Sequence, residues 1–240
     1  SAIGFVGHQT GVDHFFTGRE NLTLHGQLYR IERRELQRRI QELAHYFALE
    51  DSLDVPAMTY SGGMRRKLDI AASLVHNPRV LFLDEPTLGL DIASRQSLWH
   101  LIQRLNRERG LTILLTPHYL EEADRLAHRV GIINAGRIQV VDTPEALKDG
   151  IHGDAVVLTV ESPGPAREAL TRDLRGQPYI RDTVWEQSNL HLYLDNAAAN
   201  IAAIMHIADA HSIQVKTLSL SRPTLDDVFI RLVGEAGDTE

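Results

Sequence analysis

Two adjacent carboxylates, Asp84 and Glu85, follow directly on the apolar run Val80-Leu81-Phe82-Leu83 and are themselves followed by Pro86. A short unbroken apolar run fits a strand buried on both faces, as in a parallel α/β sheet, and Pro86 stops that strand from continuing. Asp84 and Glu85 then stand at the strand's carboxyl end, the edge at which open α/β sheets bind ligands. Paired carboxylates there can hold a hydrated Mg²⁺ and orient a water against a phosphate. Taken alone, the pattern serves an ordinary strand ending in a polar turn equally well.

Three further stretches carry matching chemistry. Upstream, Tyr60-Ser61-Gly62-Gly63-Met64 opens a helical pattern that runs through Leu68, Ala71, Ala72 and Leu74 to about His76. Serine is a favoured N-cap, and the first N–H groups of a helix are unpaired, so this terminus suits an anion. The two glycines let a phosphate approach the backbone with no Cβ in the way. Downstream lie Gly89-Leu90-Asp91, whose acid can cap the helix that follows, and Thr116-Pro117-His118, just past the second apolar run Leu111 to Leu115. The chain has 12 histidines, and an isolated one is usually structural or solvated. His118 stands just after that apolar run.

The elements needed to position these residues can be read in order. Ile3 to Val6 reads as a strand and is followed by the polar loop Gly7-His8-Gln9-Thr10-Gly11. Residues 20 to 50 show helical periodicity at Leu36, Ile40, Leu43, Phe47 and Leu49, and the charges from Arg30 to Arg39 form a solvated face. A helix follows Asp91 and closes at Gly110, a C′ glycine. Glu121 and Glu122 begin another, where their charge complements the helix dipole. Val130 to Ile133 and Arg137 to Val141 flank Asn134-Ala135-Gly136 as a hairpin, and Thr143 caps a short helix. Gly150-Ile151-His152-Gly153 reads as a linker. From Ala155 the order is strand, helix, two strands, helix, strand, a ferredoxin-like β-α-β-β-α-β, with a last helix over 224–232.

Composition bounds the rest. With 43% hydrophobic and 24% charged residues, the chain buries a real core. It has no cysteine, hence neither disulfides nor thiolate metal sites, and its net charge of −7 disfavours a dedicated nucleic-acid binder. No apolar stretch approaches the roughly 18 residues of a membrane span. A phosphate-cradling G-x-x-x-x-G-K-[ST] loop is absent, since none of Lys67, Lys148 and Lys216 follows a glycine.

In this order, Ser61-Gly62-Gly63, Val80 to Thr87, Gly89-Leu90-Asp91 and His118 resemble the nucleotide-binding subunit of ATP-binding cassette (ABC) transporters, over roughly residues 1 to 145. The ending Pro223-Thr224-Leu225-Asp226-Asp227-Val228-Phe229 resembles the tail of bacterial drug-resistance export ATPases. The resemblance implies a P-loop NTPase-type α/β core over 1–150 with a helical subdomain at about 20–76, and a small α+β ferredoxin-like accessory domain over 151–240. Because the sequence opens in the middle of such a core, the first strand and phosphate loop are expected upstream of Ser1, and these 240 residues alone are expected to be inactive.

The resemblance also assigns roles. Glu85 polarises the attacking water and His118 steadies the γ-phosphate; Asp84 holds Mg²⁺; Ser61, Gly62 and Gly63 reach ATP held by a second subunit; Asp91 lies in the loop that crosses the dimer interface. Gln9 links the Mg²⁺ site to the membrane subunit, with His8 at the position that counting from Thr17-Gly18-Arg19-Glu20-Asn21 favours. Tyr60, Met64 and Pro117 depart from the family's common wording without removing the serine hydroxyl or the glycine backbone. ATP and Mg²⁺ are the implied ligands, a transmembrane permease and a second ATPase subunit the implied partners, and the cytoplasmic face of the membrane, without insertion, the implied location. The competing readings are a soluble ABC ATPase acting on the ribosome or DNA repair machinery, and a non-catalytic module that binds or dimerises without a phosphate loop.

Overall fold

The computed structural model describes residues 2–151, 153–161 and 164–234. The chain forms two compact units, Ser1–Leu126 and Ala127–Glu240. In the first, β1 (Ile3–Val6), β2 (Val80–Asp84) and β3 (Thr112–Thr116) make a parallel sheet in the order β1-β2-β3. The register pairs Val6 with Leu83 and Asp84 with Thr116, so the loops after all three strands leave from one edge. That edge is where the acidic pair was expected.

Gly4, Val6, Leu81 and Leu83 line one face of the sheet, under helix α3 (Gly62–Leu74). A Cβ on Gly4 would stand 2.7 Å from the Ser73 carbonyl oxygen, so helix and strand backbones meet here because residue 4 is glycine. The other face is open: Phe5, Ile3 and Leu114 are 66%, 50% and 55% exposed. The expectation of a strand buried on both faces is therefore corrected. Val80 and Phe82 are half-buried, because the buried helical residues of this unit join the core on the Leu81/Leu83 side only.

Helices α1 (Gly18–Leu28) and α2 (Arg33–Phe47) split the periodic stretch at Arg30, whose φ is 55°. Thr17 and Glu20 form a capping box on α1. Leu36, Ile40, Leu43 and Phe47 are buried from α2, as their spacing requires. The charged stretch is a solvated face: half-buried Glu35 pairs with Arg38 and Arg39, whose hydrogen bonds lower its pKa to about 2. Helices α4 (Ile92–Arg109) and α5 (Leu120–Leu126) complete the unit. Gly110 ends α4 in the left-handed conformation at φ 60°.

The second unit begins with the antiparallel hairpin β4 (Val130–Asn134) and β5 (Arg137–Asp142), turned by Ala135 and Gly136 at φ 48° and 73°. After α6 (Pro144–Asp149) come β6 (Asp154–Glu161), α7 (Gly164–Arg175), β7 (Ile180–Glu186), β8 (Asn189–Leu194), α8 (Ala197–Ala210), β9 (Gln214–Ser221) and α9 (Leu225–Gly234). The sheet order β7-β8-β6-β9, antiparallel throughout, is that of a ferredoxin-like fold. It encloses its own core around Val156, Leu158, Leu192 and Ile204. The division by contacts falls before residue 150 because α6 and β4 pack against α9. Of the expected linker, His152 lies outside the described residues.

Candidate nucleotide site

At the end of β2 the chain makes a costly turn. Glu85 has φ 43°, a left-handed backbone that costs a non-glycine residue about 1–3 kcal/mol and persists only where the surroundings over-determine it. Its own N–H donates to the Thr116 carbonyl at 2.9 Å, and its carbonyl accepts from Leu88 N–H at 3.3 Å. The Glu85 carboxylate lies between two imidazoles, with His8 Nδ1 at 3.0 Å from Oε2 and His118 Nδ1 at 3.5 Å from Oε1. Asp84 accepts from the Thr116 hydroxyl at 2.5 Å. Asp84, Glu85 and His118 thus stand together at this edge, and His8 joins them. Gln9 does not: the described structure gives its exposed side chain no hydrogen bond, and His8 is the loop residue that reaches the carboxylate.

Behind these groups stand residues that sequence reasoning missed. Arg66, on α3, is buried and donates to the carbonyls of Gly7 at 2.7 Å, Asp84 at 2.8 Å and Pro86 at 2.8 Å. Asp69, also buried, pairs with Arg66 at 3.4 Å and accepts from Gly11 N–H at 3.2 Å. Thr87 and Glu122 are both fully buried, and the Thr87 hydroxyl donates to Glu122 Oε1. Glu122 therefore does not serve the solvent-facing start of α5 as its position suggested; it ties α5 to the turn that follows Glu85. Glu121 stays exposed and pairs with Arg125. One signal was available: Arg66 and Asp69 are charges three residues apart on a helix face they share with Ile70 and Ser73, in a helix whose other buried residues are apolar.

Ser61 caps α3, its Oγ accepting from Met64 N–H at 3.2 Å. The acceptor lone pair serves the helix, and the hydroxyl proton remains for an anion. Ser61 and Gly62 are exposed, leaving the first turn open. Gly63 packs on α4, where a Cβ would come within 2.8 Å of Ser94 Oγ. Asp91 caps α4 through Ser94, accepting from its N–H at 2.9 Å and its hydroxyl at 2.6 Å. Those bonds hold the Asp91 carboxyl below its ordinary pKa. The Ser61–Gly63 turn and Asp91 are therefore neighbours through Ser94.

The residues fit a hydrated Mg²⁺. Asp84 and Glu85 offer hard oxygen donors, half-buried at an open sheet edge, and no cluster of three or more side-chain ligands exists among the described residues. Mg²⁺ keeps most of its waters and takes one or two carboxylates plus phosphate oxygens, so a partial donor set is the right one.

The chain matches the ABC transporter family over residues 1–88 and, over residues 143–233, the C-terminal domain of DrrA1-3-like ATP-binding proteins. It is 39% identical to the daunorubicin resistance ATP-binding protein DrrA2 of Streptomyces coeruleorubidus across 97% of this chain and 72% of that one. The chain belongs to the ABC transporter ATP-binding proteins. Another member, the linearmycin resistance ATP-binding protein LnrL of Bacillus subtilis, is 32% identical over 97% of this chain and 74% of its own. A solved ATP-binding subunit of an ABC transporter superposes with a TM-score of 0.52 at 26% identity, covering 62% of each chain. Among the described residues no helix is long and apolar enough to cross a membrane.

Proposed function

We propose that the chain hydrolyses Mg·ATP and powers export through separate transmembrane subunits, working as a pair of ATPase subunits on the inner face of the membrane. The observation that carries this reading is the Glu85 carboxylate at the sheet edge, beside Asp84 and between His8 and His118. Glu85 accepts the proton of the attacking water, and His118 donates to the γ-phosphate through the ring nitrogen that does not face Glu85. His8 holds Glu85 from the other side and takes the place expected of Gln9. Asp84 would hold Mg²⁺, which would supply neutralising charge to the phosphate oxygens. Ser61, Gly62 and Gly63 present a capped, open helix terminus to the ATP of the second subunit, and Asp91 holds α4 against that turn. Export is the direction because the relatives' names are of drug resistance; the ferredoxin-like unit serves as the accessory domain.

The composite site is tested by Ser61→Asp in the full chain assembled with its permease. Aspartate preserves the N-cap but sets a negative charge against the phosphate, so turnover is expected to fall about a hundredfold or more with the fold intact. Parent-level turnover in this variant would mean that the α3 terminus meets no nucleotide. Residues 1–240 contain no G-x-x-x-x-G-K-[ST] loop to bring a lysine to β and γ phosphates, so the isolated 240-residue polypeptide is expected to show no Mg²⁺-dependent phosphate release. Release at the rate of the full chain would place phosphate binding elsewhere in these residues.

A further inference from the structure

Arg66 is the most heavily committed side chain near the site and has no role in the reading above. Its side chain is 9% exposed, and the guanidinium spends its donors on backbone carbonyls: Gly7, immediately before His8, and Asp84 and Pro86, on either side of Glu85. One planar fork therefore grips both flanks of the strained residue and the root of the loop that meets it. Asp69 extends the grip, holding Arg66 with one oxygen and Gly11 N–H with the other, so the Gly7–Gly11 loop is fixed at both ends. Burial lowers the pKa of Arg66 and raises that of Asp69, the mark of two charges withdrawn from water. Buried ion pairs are weak sources of stability, and apolar replacements often do as well. What an apolar pair could not supply is a fixed relation between three carbonyls.

The position of Arg66 in α3 adds a second consequence. It lies five residues after Ser61 on one continuous helix, about 7.5 Å along the axis at 1.5 Å per residue. A helix of this length moves as a body, so a displacement at its capped terminus is carried to the carbonyls that Arg66 holds. We infer that Arg66 is the positioning residue that sets Glu85 against His8, and that it couples contact between Ser61 and the partner's nucleotide to the carboxylate of this chain's own site. The inference rests on the proposed role of Glu85 and of the α3 terminus.

The test uses Arg66→Gln, alone and with Asp69→Asn, in the full chain assembled with its permease. The double variant removes both charges together and leaves no lone buried carboxylate. Expected is a fall in kcat of about 10- to 100-fold, as for a displaced catalytic group, with KM for ATP and the melting temperature of the double variant near those of the parent. Arg66→Lys is expected not to restore kcat, because one ammonium cannot span three carbonyls in a fixed plane. In a Glu85→Gln background, Arg66→Gln is expected to cost nothing further. Amide hydrogen exchange at residues 7–11 and 84–88 is expected to quicken in the double variant even without nucleotide. Parent-level kcat, or a loss that multiplies with that of Glu85→Gln, overturns the positioning role, and unchanged exchange overturns the grip. Because exchange reads the grip without ATP, failure of the proposed role of Glu85 shows separately, as unchanged turnover in Glu85→Gln alone.

Discussion

Glu85→Gln in the full chain is expected to lower ATP turnover by about a thousandfold or more while bound ATP is retained. The size follows from the role: a positioned general base contributes about 10²- to 10⁴-fold. Glutamine keeps the length and shape of glutamate, so the left-handed turn at φ 43° is burdened no further, and its amide oxygen still accepts from one of the two imidazoles. It cannot accept the water's proton, and it cancels the negative charge facing His8 and His118. Binding, which draws on the phosphates and on the α3 terminus of the second subunit, is left in place. Single-turnover hydrolysis with labelled ATP, followed by measurement of retained nucleotide, checks both halves. Hydrolysis at the parent rate would take Glu85 out of the chemistry, and loss of binding would make it a ligand for nucleotide.

What could be read from the chain beforehand was local. Val80 to Leu83 is a strand because four apolar residues end at two acids and a proline; Ser61 caps α3 because serine before two glycines opens a helix. The order β6-α7-β7-β8-α8-β9 followed from alternating periods alone. What could not be read depends on residues far apart in sequence. Arg66 and Gly7 are 59 positions apart, and Thr87 and Glu122 are 35. An arginine in a helix is solvated by default, and nothing in its neighbours says that three carbonyls from two other loops will converge on it. Glu122 shows the same limit: a glutamate in the first turn of a helix has a sufficient local explanation, and only the fold reveals Thr87 beneath it. The choice between His8 and Gln9 turned on a single residue of register in an exposed loop, which periodicity does not fix. The open face of β2 was hidden for a related reason, since an apolar run reports what a strand can bury and not what lies over it.

Removing the Asp227 carboxylate, as in Asp227→Ala, is expected to destabilise the second unit by about 3 kcal/mol, the cost of stripping a hydrogen-bonded buried charge from its partners. Asp227 is 6% exposed. One of its oxygens accepts from the N–H and hydroxyl of Thr224, each at 2.8 Å, which fixes the start of α9. The other accepts from the Tyr193 hydroxyl at 3.2 Å and faces His191 Nδ1 at 3.6 Å, which fastens α9 to β8. Burial alone would raise the Asp227 pKa, but the neighbouring His191 imidazole and the hydrogen bonds from Thr224 and Tyr193 outweigh it and hold the carboxyl below its ordinary value. Burial, followed by the negative charge of Asp227, pushes the Tyr193 hydroxyl above its ordinary value, keeping it a donor. A carboxyl lowered on folding contributes stability above its unfolded pKa, near 3.9, and loses that contribution as the pH falls through the folded value. The dock of α9 should accordingly loosen in acid, well below neutrality, and the Asp227→Ala protein should already be loose at pH 7 and respond less to acid. Amide exchange of residues 225–231 measured from pH 7 down to about pH 2 gives the comparison. An Asp227→Ala protein as protected as its parent at pH 7 would show that α9 is held by Leu225 and Val228 in the core and not by its acid.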